Sequence, residues 1–586
     1  LIILFANTSG DHNTATGYNS LYHNTIGTTN TAIGDNAMLT NTTGNDNTAL
    51  GYDALLINST GNSNTAVGNS ALQNNTANFN TAVGTLSLQG NTSGSSNTSA
   101  GFYSLFSNNN GSFNAAFGDN ALYGNTSGSS NVAVGSSALT NNTSGKGNTA
   151  LGNTALGGNT TGFSNVAVGN KTLNSSSTGS NLVAVGDSAM YKTNGSSANT
   201  AVGSKSLFSV TSGGFNTAVG FQTLYNNTGN SNTAVGAQAL NFNLTGSGNV
   251  AIGTQTMIGN ATGITNTAIG TYAMSNADHG NGNTANGYAA LANSTAGFSN
   301  VAIGIATLYS SVWQNNTVAV GDSALYYNGL GAVSTLDGIA NVAVGSKSLL
   351  NNTSGRANTG IGFQVMMANT TGSHNTAAGY TAGDDITTGS DNTFLGYNAN
   401  SNGVGTISNS TALGSGATVT ASNNFVFGNA FITKWGFGQT AAAANILDFV
   451  NTTARLTTGG VWTNASDRRL KNNFQAMDKN EVLEKIMHLD IPRWHYMKDE
   501  NSITHIGPIA QDFYAAFKVG DDTTISTIDP AGIALLGVQQ LSINATAKEA
   551  KIAAQDKEIE LLKQQLIEMK ALLVSIQRSI PVKEKK

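Results

Sequence analysis

Cysteine is absent, proline occurs only 4 times in 586 residues, and charged side chains make up just 9% of the chain. Without cysteine there are no disulfides and no thiolate metal sites, whatever the compartment. With so few charges and few large apolar side chains, the backbone must be satisfied by regular pairing. Glutamate is missing altogether from residues 1 to 430, which hold 6 Lys or Arg and 12 Asp; Glu481 is the first glutamate. From residue 467 onward the composition is that of an ordinary helical protein, which places a domain boundary between about 430 and 467. No run approaches the roughly 18 apolar residues of a membrane span. The net charge of -5 and the lack of a basic stripe with interleaved aromatics leave nucleic acid an unexpected partner. The opening Leu1-Ile2-Ile3-Leu4-Phe5-Ala6 has no basic start and no initiator Met, so it reads as a fragment boundary rather than a signal sequence.

Glycine is abundant, at 70 residues, and it is periodic. A pentad of the form Asn-Thr-Ala-Val-Gly recurs with glycines at Gly17, Gly34, Gly51, Gly68 and onward to Gly321, spaced by 17 residues with two slips to 16. After one longer interval it resumes at Gly345 and loosens through Gly414 to Gly428, giving 25 copies. Such self-similarity marks a repeat architecture. In Asn131-Val132-Ala133-Val134-Gly135, alternation puts Val132 and Val134 on one face of a short strand and Ala133 on the other. A second apolar pulse, an Ala-Leu pair such as Ala71-Leu72, is followed by Asn/Thr/Gly turn residues. Two short strands and two turns per unit predict a mainly β chain, a parallel β-solenoid or β-roll of 17-residue coils. At roughly 4.8 Å per paired strand, the 24 intervals make a rod on the order of 115 Å long. The coil is thin, and with Val and Thr directed inward, the Ala face is free for close approach by another backbone. A homotrimer in which three rolls share a core is therefore expected.

The pentad resembles the head repeats of trimeric autotransporter adhesins of the YadA type, over residues 13 to about 428. That resemblance implies a β-roll within a trimer. The Asn and Thr columns read as hydrogen-bonding ladders rather than ligand sites. An ice-binding Thr array is disfavoured, because Val132, Val166, Val250, Val301 and Val342 interrupt it. Asn-x-Ser/Thr triplets such as Asn41-Thr42-Thr43 arise automatically from this composition. His23, His279 and His374 lack partners at metal-ligand spacing, and no P-loop or other cofactor motif is present; neither metal nor cofactor is expected.

Beyond Asn429 the beat stops. Asn445-Ile446-Leu447-Asp448-Phe449-Val450 and Ala454 to Trp462 read as strands of a stem. Next comes Ser466-Asp467-Arg468-Arg469-Leu470-Lys471, followed by Val482-Leu483-Glu484-Lys485-Ile486 and Ile503-Thr504-His505-Ile506-Gly507-Pro508-Ile509-Ala510-Gln511-Asp512-Phe513. These segments resemble the peptidase S74 family, the intramolecular chaperone domain of endosialidase and other tail spikes, over 466 to about 577. The resemblance implies autoproteolysis beside Ser466, with Ser466 as nucleophile and Lys471 as general base, and Asp467, Arg469 and Leu470 as further cleavage-motif residues. A lysine serves as base only when burial or nearby cations lower its pKa, and Arg468 and Arg469 are suited to that. Asp467 is equally readable as a helix N-cap. His495 and His505 read as packed or surface histidines.

A helix is expected from about Asp529 to Gln577. Its heptad runs through Ile552, Ile559, Leu566, Leu573 and Ile580 at one seam position and Leu562, Met569 and Ile576 at the other. The organisation expected is residues 1–12 as an N-terminal fragment and 13–428 as solenoid. A β-rich stem at 429–465, a small α+β chaperone domain at 466–540 and a coiled-coil helix and tail at 541–586 complete it. The function this favours is an extracellular structural fibre or adhesin, from a phage tail or bacterial surface, trimeric, matured by self-cleavage and contacting a cell-surface glycan or protein receptor. A tail-spike glycan hydrolase is the alternative, although it requires paired carboxylates that residues 1 to 430 do not suggest. A membrane-tethered transcription factor with the same domain would need a DNA-binding module and a span, and neither is seen.

Overall fold

In the computed structural model, the described residues are 4–431, 435–437, 445–449, 454–457, 460–464, 466–497 and 503–579. The chain divides into two compact units, residues 1–433 and 434–586.

The first unit is a parallel β-solenoid of 25 three-residue strands, from β1 (Thr14–Thr16) to β25 (Phe425–Phe427). Each strand pairs in parallel with the equivalent strand of the next coil, as Thr48, Ala49 and Leu50 do with Thr65, Ala66 and Val67. Register survives the long interval between Gly321 and Gly345, because Val318 still pairs with Val342 and the extra residues leave the coil as a loop. The glycine ending each pentad is obligatory. Gly51 has φ +142°, and a Cβ there would lie 2.4 Å from the Gly68 carbonyl oxygen of the next coil. Only glycine combines that backbone conformation with so close an approach.

Two expectations are corrected. The Ala-Leu pulse is not a second strand but a turn. Leu55 sits at φ 50° and Asp53 at φ 55°, with the Leu55 N–H donating to the Ala71 carbonyl of the next coil at 3.0 Å. The left-handed conformation costs a leucine roughly 1–2 kcal/mol, offset by burying its side chain, which contributes about 1.5–3 kcal/mol. The strand faces are also reversed. Ala49, Ala66 and Ala133 are fully buried, while Leu50 and Val132 are 45% and 39% exposed. The turn leucines fill the coil, leaving space for one methyl group behind each strand. At Gly360, which holds an alanine position, a Cβ would already lie 2.7 Å from Ser348 Oγ, 3.3 Å from Val365 Cγ1 and 3.5 Å from Leu349 Cδ1, so even a methyl group needs Ser348 to give way there. The exception supports this account: Phe394 occupies an alanine position fully buried, and Gly383 stands in the leucine position beside it, where a Cβ would meet the ring at 2.9 Å.

Two columns of buried asparagines hold the turns. Asn47 Nδ2 donates to Asn30 Oδ1 (3.1 Å) and the Gly61 carbonyl (2.8 Å). Asn58 Nδ2 donates to Asn41 Oδ1 (3.2 Å) and the same carbonyl (2.9 Å). These are the hydrogen-bonding ladders expected of the Asn columns. They also bury Asn41, the first residue of one glycan-acceptor triplet.

The second unit contains a four-stranded sheet (Trp435–Phe437, Asn445–Phe449, Ala454–Thr457 and Trp462–Asn464) and a 3-10 turn at Arg468–Leu470. Three helices follow: α1 (Lys479–His488), α2 (Ala510–Phe517) and α3 (Asp529–Arg578). A two-stranded pair, Arg493–Trp494 with His505–Ile506, lies between α1 and α2. Asp478 caps α1 by accepting from Asn480 N at 2.8 Å. Val482, Phe513, Phe517 and Ile533 form the core, with Ile486, Leu489 and Leu536 packed against it. Gly537 lets α3 approach α1, since a Cβ there would lie 2.6 Å from Ile486 Cδ1. The expected end-to-end helix is present, and it crosses residue 540 without a break. Of its heptad, Ile580 lies outside the described residues.

Candidate functional site

The 3-10 turn at Arg468–Leu470 builds the site. Asp467 is its N-cap, its Oδ1 accepting from Arg469 N at 2.8 Å. Backbone bonds from Leu470 N to Asp467 O (3.0 Å) and Lys471 N to Arg468 O (3.3 Å) close the turn. A 3-10 turn advances only about 2 Å per residue, so the five-residue separation of Ser466 and Lys471 is spanned by the lysine side chain. Lys471 Nζ donates to Ser466 Oγ at 2.7 Å.

The rest of the motif is engaged in holding the turn. Arg469 Nε lies 3.1 Å from both Asp467 oxygens, and its Nη2 bonds Asp467 Oδ2. The Arg469 guanidinium keeps the Asp467 carboxyl below the usual carboxylate range, with the Arg469 N–H adding to the effect. The charge of Arg469 is thus matched by Asp467. Arg468 instead lies 5.1 Å from the Phe474 ring centre. Sequence reasoning missed Phe474, because an aromatic six residues on carries no motif signal. Leu470 is exposed, as are Ser466 and Lys471.

A serine hydroxyl within hydrogen-bond reach of an amine is the arrangement by which a general base activates a nucleophile, once the amine is neutral. The histidines stand elsewhere. His505 packs 4.8 Å from the Trp494 ring, and His495 is exposed. His23 is exposed and edges onto Tyr22. His279 and His374 face Asp278 and Asp391 on the solenoid surface. Among the described residues no group of three or more His, Asp or Glu is placed to hold a metal ion. No helix among them is long and apolar enough to cross a membrane.

Residues 466–519 match the family model of peptidase S74, the chaperone of endosialidase. A chaperone domain of that type therefore lies near the C-terminus, and the Ser466–Lys471 contact stands at its entrance. The chain matches none of the curated proteins.

Proposed function

We propose that this chain is a structural fibre, of a phage tail or a bacterial surface, assembled as a trimer by its C-terminal chaperone domain and matured by cleavage beside Ser466. The observation that carries the reading is the 2.7 Å contact between Ser466 and Lys471 at the first residues of the chaperone match. In this mechanism neutral Lys471 takes the Oγ proton, Oγ attacks the carbonyl carbon of the scissile peptide, the C–N bond breaks as Lys471 returns that proton to the departing amine, and water hydrolyses the resulting ester, restoring the Ser466 hydroxyl. Both side chains are exposed, whereas a lysine base needs desolvation to lose its proton near neutrality. Cleavage is accordingly expected to follow assembly, when neighbouring chains cover the turn.

Support for a trimer comes from two apolar surfaces. The seam of α3 has Ile552, Ile559, Leu562, Leu566, Met569, Leu573 and Ile576 all between 46% and 59% exposed. The strand face of the solenoid presents Leu50, Phe117, Leu151, Ile361 and Leu395 in one column, 43% to 52% exposed. Contiguous apolar surface on that scale marks association. The seams, mixing Ile and Leu, suit three strands at least as well as two, and the strand face, not the alanine face, is then the surface three rolls share. The hydrolase alternative gains nothing: Asp119, Asp187 and Asp322 each follow a repeat glycine in well-separated coils and form no pair.

Denaturing gels of the full chain should show a C-terminal fragment of about 120 residues. That fragment should be absent from Ser466→Ala and Lys471→Ala. A wild-type chain that never yields it, or a Lys471→Ala chain that cleaves normally, removes the cleavage mechanism. Light scattering that reports a monomer removes the trimer.

A further inference from the structure

Between Asp119 and Asp187 the solenoid carries no acidic side chain, and its only charges there are Lys146 and Lys171. In this stretch three successive coils form a shallow cleft of about 440 Å³ at one turn edge. Its origin is a single missing side chain. The position before the buried asparagine of each pentad is left-handed and carries Phe113, Ser130, Gly147 and Ser164 in consecutive coils. At Gly147 an added Cβ would meet nothing closer than Ser164 Oγ at 3.8 Å, so the coil has an open notch there.

The notch is lined by groups suited to a sugar. The exposed Phe163 ring flanks it, with the hydroxyls of Ser130, Ser144, Thr161 and Ser164 and the exposed ammonium of Lys146. Neighbouring hydroxyls are committed to the fold: Thr143 Oγ1 and Thr160 Oγ1 each donate to a carbonyl of the next coil at 2.9 Å. The four lining hydroxyls make no hydrogen bond among the described residues, and Lys146 makes no ion pair. The cleft's backbone is nevertheless fixed between coils, with Ser164 N donating to the Lys146 carbonyl at 2.9 Å and Gly147 N to Ser129 O at 3.0 Å. Free donors on a rigid frame beside an aromatic ring and one unpaired cation form a preorganised polar site. Gly248 and Gly282 open the same position in two later coils, but Ser247 and Asn281 precede them where Lys146 precedes Gly147.

We propose that this cleft binds a sugar unit bearing an anionic substituent, with Lys146 facing the charge, the hydroxyls facing the sugar hydroxyls and Phe163 covering an apolar ring face. It gives the surface-fibre reading a receptor class and rests on that reading for its biological setting. A shallow site is weak alone, and three copies on one trimer raise its avidity. Nucleic acid fits less well, because one cation at the cleft, in a span where 6 Lys or Arg face 12 Asp, cannot neutralise a run of phosphates.

The test is calorimetric binding of oligoglucuronate, its carboxyl-reduced neutral counterpart and a single-stranded oligonucleotide to the full chain. Lys146→Gln and Gly147→Phe are the variants. Phenylalanine is tolerated by the coil at this position, since Phe113 and Phe215 hold it at φ 61° and φ 60°. Expected are saturable binding of oligoglucuronate that weakens with salt, at least tenfold weaker binding of the neutral probe, and at least tenfold loss in both variants. Equal binding by wild type and variants, no saturable oligoglucuronate binding, or tighter binding of the oligonucleotide overturns the proposal. Trimer mass and cleavage are read on the same samples. If both are normal and Lys146-dependent binding is absent, only the cleft fails; if binding is intact and the chain is monomeric and uncleaved, only the fibre reading fails.

Discussion

The two units of this chain satisfy themselves in opposite ways. In the solenoid, the coils pair their backbones with their neighbours, most bury an alanine and a leucine or methionine, and most tie their turns with asparagine amides, all within one chain. Among the described residues of the C-terminal unit, four side chains make up the buried apolar core, and α3 has only Ile533, Gly537 and Gln540 buried along its 50 residues. The first unit is stabilised by nearest-neighbour contacts, whereas the second leaves most of the apolar surface of its long helix exposed. A helical seam forms from local contacts quickly, whereas in-register stacking of 25 coils depends on pairings between turns. That difference in contact range is what the proposed division between an assembling C-terminal unit and an assembled solenoid rests on.

The comparison breaks most visibly at the seam. Leu566→Asp combined with Leu573→Asp places charges on the exposed apolar stripe of α3, far from the core around Val482. Light scattering should then fall from a trimeric to a monomeric mass, with cleavage beside Ser466 lost in parallel. The circular dichroism of helix in the isolated monomer should decline only in part, because the first turns of α3 remain packed through Ile533 and Leu536. An unchanged oligomer would show that α3 is not where the chains meet.

Much of this contrast was legible in the sequence, and the misses have physical causes. The period located all 25 strands, and the heptad located α3 to within a residue at its C-terminal end, because both depend on patterning. Alternation, however, gives the parity of a strand and not its sign: Val132 and Ala133 were bound to face opposite ways, but only the volume filled by leucines such as Leu139 decides which enters the coil. Leucine in a left-handed turn has no local signature, so pairs such as Ala71-Leu72 read as extended. At the candidate site the motif named Ser466 and Lys471 and the N-cap reading of Asp467 was available, yet the pairing of the Asp467 carboxylate with the Arg469 guanidinium needed coordinates.

The same substitution made in each unit should give different results. At Gly203 (φ +130°) a Cβ would lie 2.4 Å from the Gly220 carbonyl oxygen, a backbone atom locked by the next coil. Gly203→Ala should therefore cost about 3 kcal/mol or more. At Gly537 the obstacle is the flexible end of Ile486, and the helix gains about 1 kcal/mol from replacing glycine by alanine. Gly537→Ala should be nearly neutral. Urea denaturation that finds the two equally damaging would contradict the claim that the solenoid is the unit with no slack.

The smallest effect probes the solenoid's own flaw. In the second asparagine column each Nδ2 donates to the Oδ1 one coil earlier, so the last member of a run is left with an unpaired acceptor. Asn159, Asn260 and Asn369 are those members, followed in the column by Ser176, Ala277 and Ile386, and each has a buried Oδ1 with no partner among the described residues. Ser176 Oγ and, one coil further, Thr193 Oγ1 are unpaired as well. Ser176→Asn supplies an Nδ2 for Asn159 and the Gly179 carbonyl, which accepts at present from Asn165, just as the Gly61 carbonyl accepts from both Asn47 and Asn58. Its own Oδ1 then faces the Thr193 hydroxyl. Repairing one orphaned acceptor should stabilise the solenoid by about 1 kcal/mol, and opening a new gap with Asn125→Ser should destabilise it by about 1–3 kcal/mol. Both should move the urea midpoint of the solenoid while leaving that of the C-terminal unit in place. A lowered midpoint for Ser176→Asn would mean that the break is fitted to its serine, and that the ladder is not what limits this part of the rod.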